Sequence, residues 1–448
     1  MLDATLTIVT DLVRDAACPL TGAGTDHDSL LEFIGDAHFV LLGEASHGTH
    51  EFYRQRAQIT KRLIQEKGFT AVAVEADWPD AYRVNRYVRG QGTDADAVEA
   101  LSGFKRFPAW MWRNADVLDF IGWLRAHNDS VPSGAVKTGF YGLDLYSLHA
   151  SMEAVLNYLD KVDPEGAQRA RHRYACFERF GEDPQEYGYA AGLGLSHSCE
   201  SEVITQLIDL QRRAADYARR DGRVAADDFF YAEQNARLVK DAEQYYRTMF
   251  RGRVSSWNLR DLHMTETLDS LAGHFALQHQ QAKFVVWAHN SHLGDARATG
   301  MGQAGEWNVG QLVRQKRGRE CVLIGFTTYG GTVTAASDWG GPAERKRVRP
   351  ARPGSYESLF HGTEMASFLL TLPPSAHVAQ GLREPMLERA IGVIYRPESE
   401  LASHYFQAQI ADQFDAVIHF DQTRAVEPLE PTAEWGIGEP AETFPTGM

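Results

Sequence analysis

Cysteine is scarce in this sequence of 448 residues, with Cys18, Cys176, Cys199 and Cys321 scattered and no CxxC pair. That spacing excludes a zinc ribbon and argues against a disulfide scaffold, so reduced core thiols are expected. Positive charge is also in short supply. Asp and Glu number 60 against 45 Lys and Arg, for a net charge of −15. A nucleic-acid partner needs a basic face, so none is expected. No apolar run approaches the ~20 residues that span a bilayer, so no membrane partner is expected either. The opening segment MLDATLTIVTDLVRDAACPL has neither the basic start nor the continuous apolar stretch of a secretory signal, and a cytoplasmic protein is expected. Several catalytic signatures are missing as well: there is no GxSxG elbow, no HExxH pair, no Walker loop and no dinucleotide fingerprint.

What is present reads as an ordinary globular chain, 44% apolar and 23% charged, long enough for a sizeable core. Short β-branched runs alternate with helical patterns, which predicts an α/β fold with a largely parallel central sheet flanked by helices. The expected strands are His38–Leu42, Phe69–Glu75, Lys137–Leu143, Lys283–His289, Cys321–Phe326, Ala390–Tyr395 and Ala416–Phe420. Helical patterns cover Glu51–Lys67, Trp78–Arg89 and Asn114–His127. From 163 to 254 the pattern is helical, with Val203, Leu207, Leu210, Ala214 and Tyr217 on one stripe. This stretch is read as an insertion over the sheet edge or the cleft at the carboxyl ends of the strands, the alternative being packing helices with no role in binding. It divides the α/β core into 1–162 and 255–425, and 426–448 is expected to be a disordered tail. Gly340–Gly354, rich in Gly, Pro and Arg, is expected to be a long loop.

The chemistry lies at the strand ends. The first strand runs into Gly43-Glu44-Ala45-Ser46-His47-Gly48, the second ends at Glu75, the third delivers Asp144, and the fourth delivers His289 and then His292. Open parallel sheets bind ligands outside their carboxyl ends, so neighbouring strands would gather these groups in one crevice. His47 precedes a helix whose N-terminus disfavours the imidazolium, while a nearby carboxylate favours it. A histidine so balanced suits general-base work near neutral pH. Arg56 shares a helical stripe with Phe52, Ile59 and Leu63. A guanidinium on an apolar face needs a carboxylate, and Glu44 and Glu75 are the candidates, unless the side chain snorkels to solvent. The His and Glu types could also bind a metal, but no two histidines share a helix face, and Arg56 would compete with a cation for the same carboxylates. Metal-free chemistry is therefore favoured, with no cofactor. Ser46 is an unfavourable nucleophile beside His47, and activated water is the simpler one.

The blocks LLGEASHGTHEFYRQRAQITKRLIQEKGFTAVAVEADW, VVWAHNSHLGDARATGMGQAGEWNVGQLV and GFTTYGGTVTAASDWGGPAERKRVRPARPGSYESLFH resemble the erythromycin esterase family, over about residues 30–425. That family also includes proteins named for succinoglycan biosynthesis. The resemblance implies an α/β hydrolase of esters or lactones, including macrolides and hence antibiotic resistance, that requires no metal. It implies His47 as general base on water, Glu44 and Glu75 orienting the histidine and the water, and Arg56 and His289 binding or polarising the ester. His292 and Asp144 are expected to contact the small-molecule ester or lactone. Two other readings use the same residues: a metal-dependent hydrolase, which metal analysis would separate, and a binding protein without turnover.

Overall fold

The apolar runs pair into strands because continuous β-branched stretches can be covered by helices on both faces. The structure, a computed structural model, describes residues 2–437 apart from 182, 219–222, 251 and 279–281. Among these residues the strands are β1 (Cys18–Pro19), β2 (Phe39–Leu42), β3 (Ala71–Asp77), β4 (Gly139–Asp144), β5 (Phe284–Trp287), β6 (Cys321–Ala335), β7 (Glu344–Val348), β8 (Ser367–Thr371), β9 (Met386–Arg389), β10 (Tyr405–Ala408) and β11 (Ala416–Thr423). Nine of them form one sheet in the order β1-β8-β11-β6-β2-β5-β3-β4, with β7 on the far half of β6. The six strands from β11 to β4 run parallel. β8 joins the sheet antiparallel to β11, with β1 on its outer side; β7 pairs antiparallel with β6, and β9 and β10 pair separately.

Every residue of β2, β3, β4 and β5 is buried. Alternate side chains enter two cores, one on each face of the sheet. Phe39, Leu41, Ala73 and Val286 lie on one side, and Val40, Leu42, Val74 and Val285 on the other. Register does the rest. Leu42, Trp287 and Val74 are level across β2, β5 and β3, and Gly142 of β4 is level with Val74. The polar residues that follow them are thus delivered to one edge.

Three sequence expectations change. Ala390–Tyr395 is not a strand; it makes isolated bridges at Ile391 and Ile394, and its apolar residues instead fill a small cluster with Val333, Ala335 and Val348. The expected loop Gly340–Gly354 contains β7, a charged edge strand that buries Lys346 and Val348 and turns Arg347 outward. Charge on an exposed edge is how sheets avoid further pairing, and it hides the strand from an apolar pattern search. Cys176 and Cys199 are joined in a disulfide, whereas Cys18 and Cys321 are free. Helical folding brings the two thiols together, and spacing along the chain does not encode that.

Between β4 and β5 the chain is helical, ending in the long helices Arg223–Thr248 and Arg253–Leu277. The first of these packs behind the strand ends, where Tyr246 donates to the Tyr146 carbonyl (3.0 Å) and the Tyr245 and Tyr146 hydroxyls meet at 3.2 Å. Within 426–437, Val426 is buried, Leu429 bonds back to Arg113, and the Trp435 indole donates to Thr334. Residues 438–448 of the expected tail lie outside the described residues. Among the described residues no helix is long and apolar enough to cross a membrane.

Candidate active site

The turn after β2 is built around contacts that admit only glycine. A Cβ on Gly48 would lie 1.8 Å from the Thr334 carbonyl oxygen, so the chain passes β6 too closely for any side chain. That close approach sets the position of His47. Its Nδ1 donates to Glu44 Oε1 at 2.9 Å, and the other Glu44 oxygen lies 2.7 Å from an Arg56 nitrogen. Arg56 is fully buried on the apolar face of the helix His50–Lys67, with its guanidinium over the Tyr53 and Trp287 rings at 4.4 and 5.2 Å. Burying this charge would cost several kcal/mol without Glu44. With Nδ1 committed to Glu44, Nε2 is the basic nitrogen of His47, and it has no protein partner among the described residues. Ser46 is buried with its hydroxyl bonded to Thr49, so it presents no nucleophile.

A second network closes the other strand ends. Arg260, from the helix Arg253–Leu277, reaches Asp144 through two bonds (2.9 and 2.6 Å) and Glu75 Oε1 at 2.7 Å. An Arg260 nitrogen also lies 2.9 Å from His292 Nε2, and His292 Nδ1 contacts both Asp261 oxygens at 2.9 and 3.0 Å. His292 further stacks on Trp257 at 4.5 Å. Burial raises the Glu75 carboxyl, but the charges of His292, His47 and Arg260 outweigh it and hold Glu75 well below the usual range. Asp144 is lowered in the same way, burial losing to Arg260. For His292, burial opposes the charged ring, and Asp261 and Glu75 prevail to raise its pKa.

His289 joins the two networks. Its backbone N–H donates to Glu75 Oε2 at 2.9 Å, and the next amide, on Asn290, donates to the Glu44 carbonyl at 2.8 Å. The Ser291 amide, which can only donate, points at His289 Nδ1 (3.2 Å), and the Ser291 hydroxyl lies 2.9 Å from the same nitrogen. The neutral ring therefore carries its proton on Nε2, a buried N–H whose backbone neighbour is the Ala45 carbonyl and which makes no well-formed hydrogen bond within the protein. Burial, followed by the nearby His47, pushes the His289 pKa down to about 3, so it is neutral at working pH. The His47 and His289 rings are 4.9 Å apart. Both line a cavity of about 470 Å³ whose polar floor includes Glu75, Asp144, Arg260 and His292, with Phe104, Phe107, Met111, Trp112 and Trp339 on its wall. That is a usual size for a small-molecule site.

The structure brings His47, Glu44, Glu75, Asp144, His289 and His292 together as the sequence suggested, with Arg56 placed differently. Arg56 does not line the cavity; it sits behind Glu44 and cannot touch a substrate. His292 and Asp144 line it, with their polar atoms engaged by Arg260 and Asp261. The sequence reading missed Arg260 and Asp261. The signal was the one that exposed Arg56, since they share a helix face with Trp257, Met264 and Leu268. Among the described residues, no three His, Cys, Asp or Glu side chains gather as a metal-ligand set.

Comparison with known proteins bears on the fold and the family. Erythromycin esterase type II from Escherichia coli is 23% identical over 356 residues, 75% of this chain and 81% of that protein. A crystal structure of a Bacillus cereus protein superposes with a TM-score of 0.79 at 20% identity, covering 95% of this chain and 99% of the other. A histidine-to-asparagine mutant of the erythromycin esterase EreC, in its open conformation, gives a TM-score of 0.66 at 17% identity, over 90% of this chain and 95% of that one. At these identities the solved structures establish the fold. Residues 64–423, most of the chain, match the erythromycin esterase family, and the protein belongs to that family.

Proposed function

We propose that the protein hydrolyses a carboxylic ester or lactone, macrolides among them, with a water activated by His47 and without a metal. The observation behind this reading is one pair: a histidine with its basic nitrogen free and, 4.9 Å away between ring centres, a second histidine whose buried N–H makes no well-formed hydrogen bond within the protein. One can take a proton while the other stabilises developing negative charge.

His47 Nε2 removes a proton as water oxygen attacks the acyl carbon. The carbonyl oxygen becomes an oxyanion, and the His289 Nε2–H donates to it in a buried setting, where such a donor is strongest. Collapse of the tetrahedral intermediate breaks the acyl C–O bond, and the proton on His47 passes to the leaving alkoxide. Acid and alcohol are the products. Glu44, itself held by Arg56, stabilises the transient imidazolium. Glu75 remains ionised and orients the water.

Replacing His289 with Ala is expected to lower kcat by ~10²–10³-fold with little change in KM, the signature of a donor used only in the transition state. Steady-state kinetics on a simple ester would check this, and an effect confined to KM would assign His289 to ground-state binding. The reading itself is tested on a panel of simple esters, lactones and erythromycin. Chelator-treated protein is expected to turn over at least one substrate at the untreated rate. Turnover only after metal loading would favour a metal-dependent hydrolase, and no turnover in either state would overturn the ester reading.

A further inference from the structure

The charged groups lining the cavity are matched within the protein, with one exception. Arg106 pairs with Asp77 at 2.9 Å, Arg260 with Asp144 and Glu75 at 2.6 and 2.7 Å, and Arg253 with Glu306 at 3.2 Å. Asp80, in the first turn of the helix Trp78–Val88, lines the same cavity and has no hydrogen-bond or ion-pair partner among the described residues. Four carboxylates line the cavity against three arginines, and one of those, Arg253, is already paired with a carboxylate outside the lining. Phe104, Phe107, Trp112 and Trp339 line it too. Phe107 and Trp339 meet edge to face at 5.0 Å, and Trp339 is 56% exposed, an aromatic surface left open to a ligand.

We propose that the cavity contains a subsite for a cationic group of the substrate, a protonated or quaternary amine, recognised by the Asp80 carboxylate and the faces of the aromatic lining. This rests on the reading of the cavity as the substrate site. An unpaired carboxylate half-withdrawn from water carries a cost, and a ligand cation removes it. Aromatic faces attract the same cation, more strongly where water is excluded. A neutral ligand would use the rings and leave the charge unanswered.

The groups facing Asp80 also give the subsite a pH dependence. Burial, and then the neighbouring Asp77, push the Asp80 carboxyl up to about 7, against Arg106, Arg83 and Lys105. The carboxylate form that attracts a cation therefore grows in as pH rises through about 7.

Choline and its uncharged isostere 3,3-dimethylbutan-1-ol, titrated by NMR into wild type and Asp80→Asn, test this without any turnover. Above neutral pH the wild type is expected to bind choline ~10-fold tighter than the alcohol. The preference should fall as pH is lowered through about 7. In Asp80→Asn it should vanish while affinity for the alcohol stays within ~3-fold. The pH series on wild type stands alone should the variant fail to fold. No choline preference in wild type, or one that survives in Asp80→Asn, would overturn the subsite. A choline preference in a protein that turns over no ester would uphold the subsite and sink the esterase reading alone.

Discussion

Replacing His47 with Ala is expected to lower kcat for ester hydrolysis by ~10²–10⁴-fold, with KM nearly unchanged and the fold intact. The size follows from the role, since a positioned base removes the proton at the moment water attacks, and bulk water is a poor substitute. The intact fold follows from the neighbours. Glu44 keeps its ion pair with the buried Arg56 when the imidazole is gone, so no carboxylate is left unmatched. His47 also sits at the cavity lining rather than in the core, so the lost ring leaves space that water can fill. Steady-state kinetics and a thermal melt on the same preparation would check both parts. Loss of activity with a large drop in Tm would mark His47 as structural, and retained activity would remove it from the mechanism.

Replacing Arg260 with Met is expected to be the most damaging change to stability, about 3–5 kcal/mol at neutral pH. One guanidinium holds Glu75 and Asp144 together, and without it two buried carboxylates lose the cation they share, with Asp144 left to a backbone N–H and Glu75 to the His289 amide and His292. The pH dependence has a definite sign. Both carboxyls titrate below their ordinary range in the folded protein, so the stability they contribute is present above that range and lost as pH falls through their folded values. Removing Arg260 cuts that contribution, so the deficit should be greatest near neutrality and shrink in acid. Denaturant unfolding of wild type and variant across that range would measure it, and a deficit equal at every pH would assign Arg260 a packing role. Turnover should fall ~10²-fold as well, because Glu75 fixes the His289 backbone and small misplacements are costly in a site of this kind.

Much of the site was legible because it depends on local pattern. Each apolar run ends abruptly in polar residues, and parallel register carries Glu44, Glu75, Asp144 and His289 to the same edge. Arg56 was legible for a related reason, an arginine on an apolar helical stripe, although its lack of access to the cavity was not. Arg260 was missed because it meets Glu75 across 185 residues, and no spacing rule selects a partner at that distance. The Cys176–Cys199 disulfide was missed in the same way. β7 escaped because an edge strand keeps its charges, and Ala390–Tyr395 was taken for a strand because a buried plug and a buried strand have the same composition.

The central claim is that water, not a side chain, attacks the acyl carbon. Mass spectrometry of the whole enzyme, quenched in acid during turnover of an ester, tests it most directly. The account predicts only the unmodified chain of 50.0 kDa at every time point while acid accumulates. A transient acyl adduct that forms and decays at the turnover rate would contradict it.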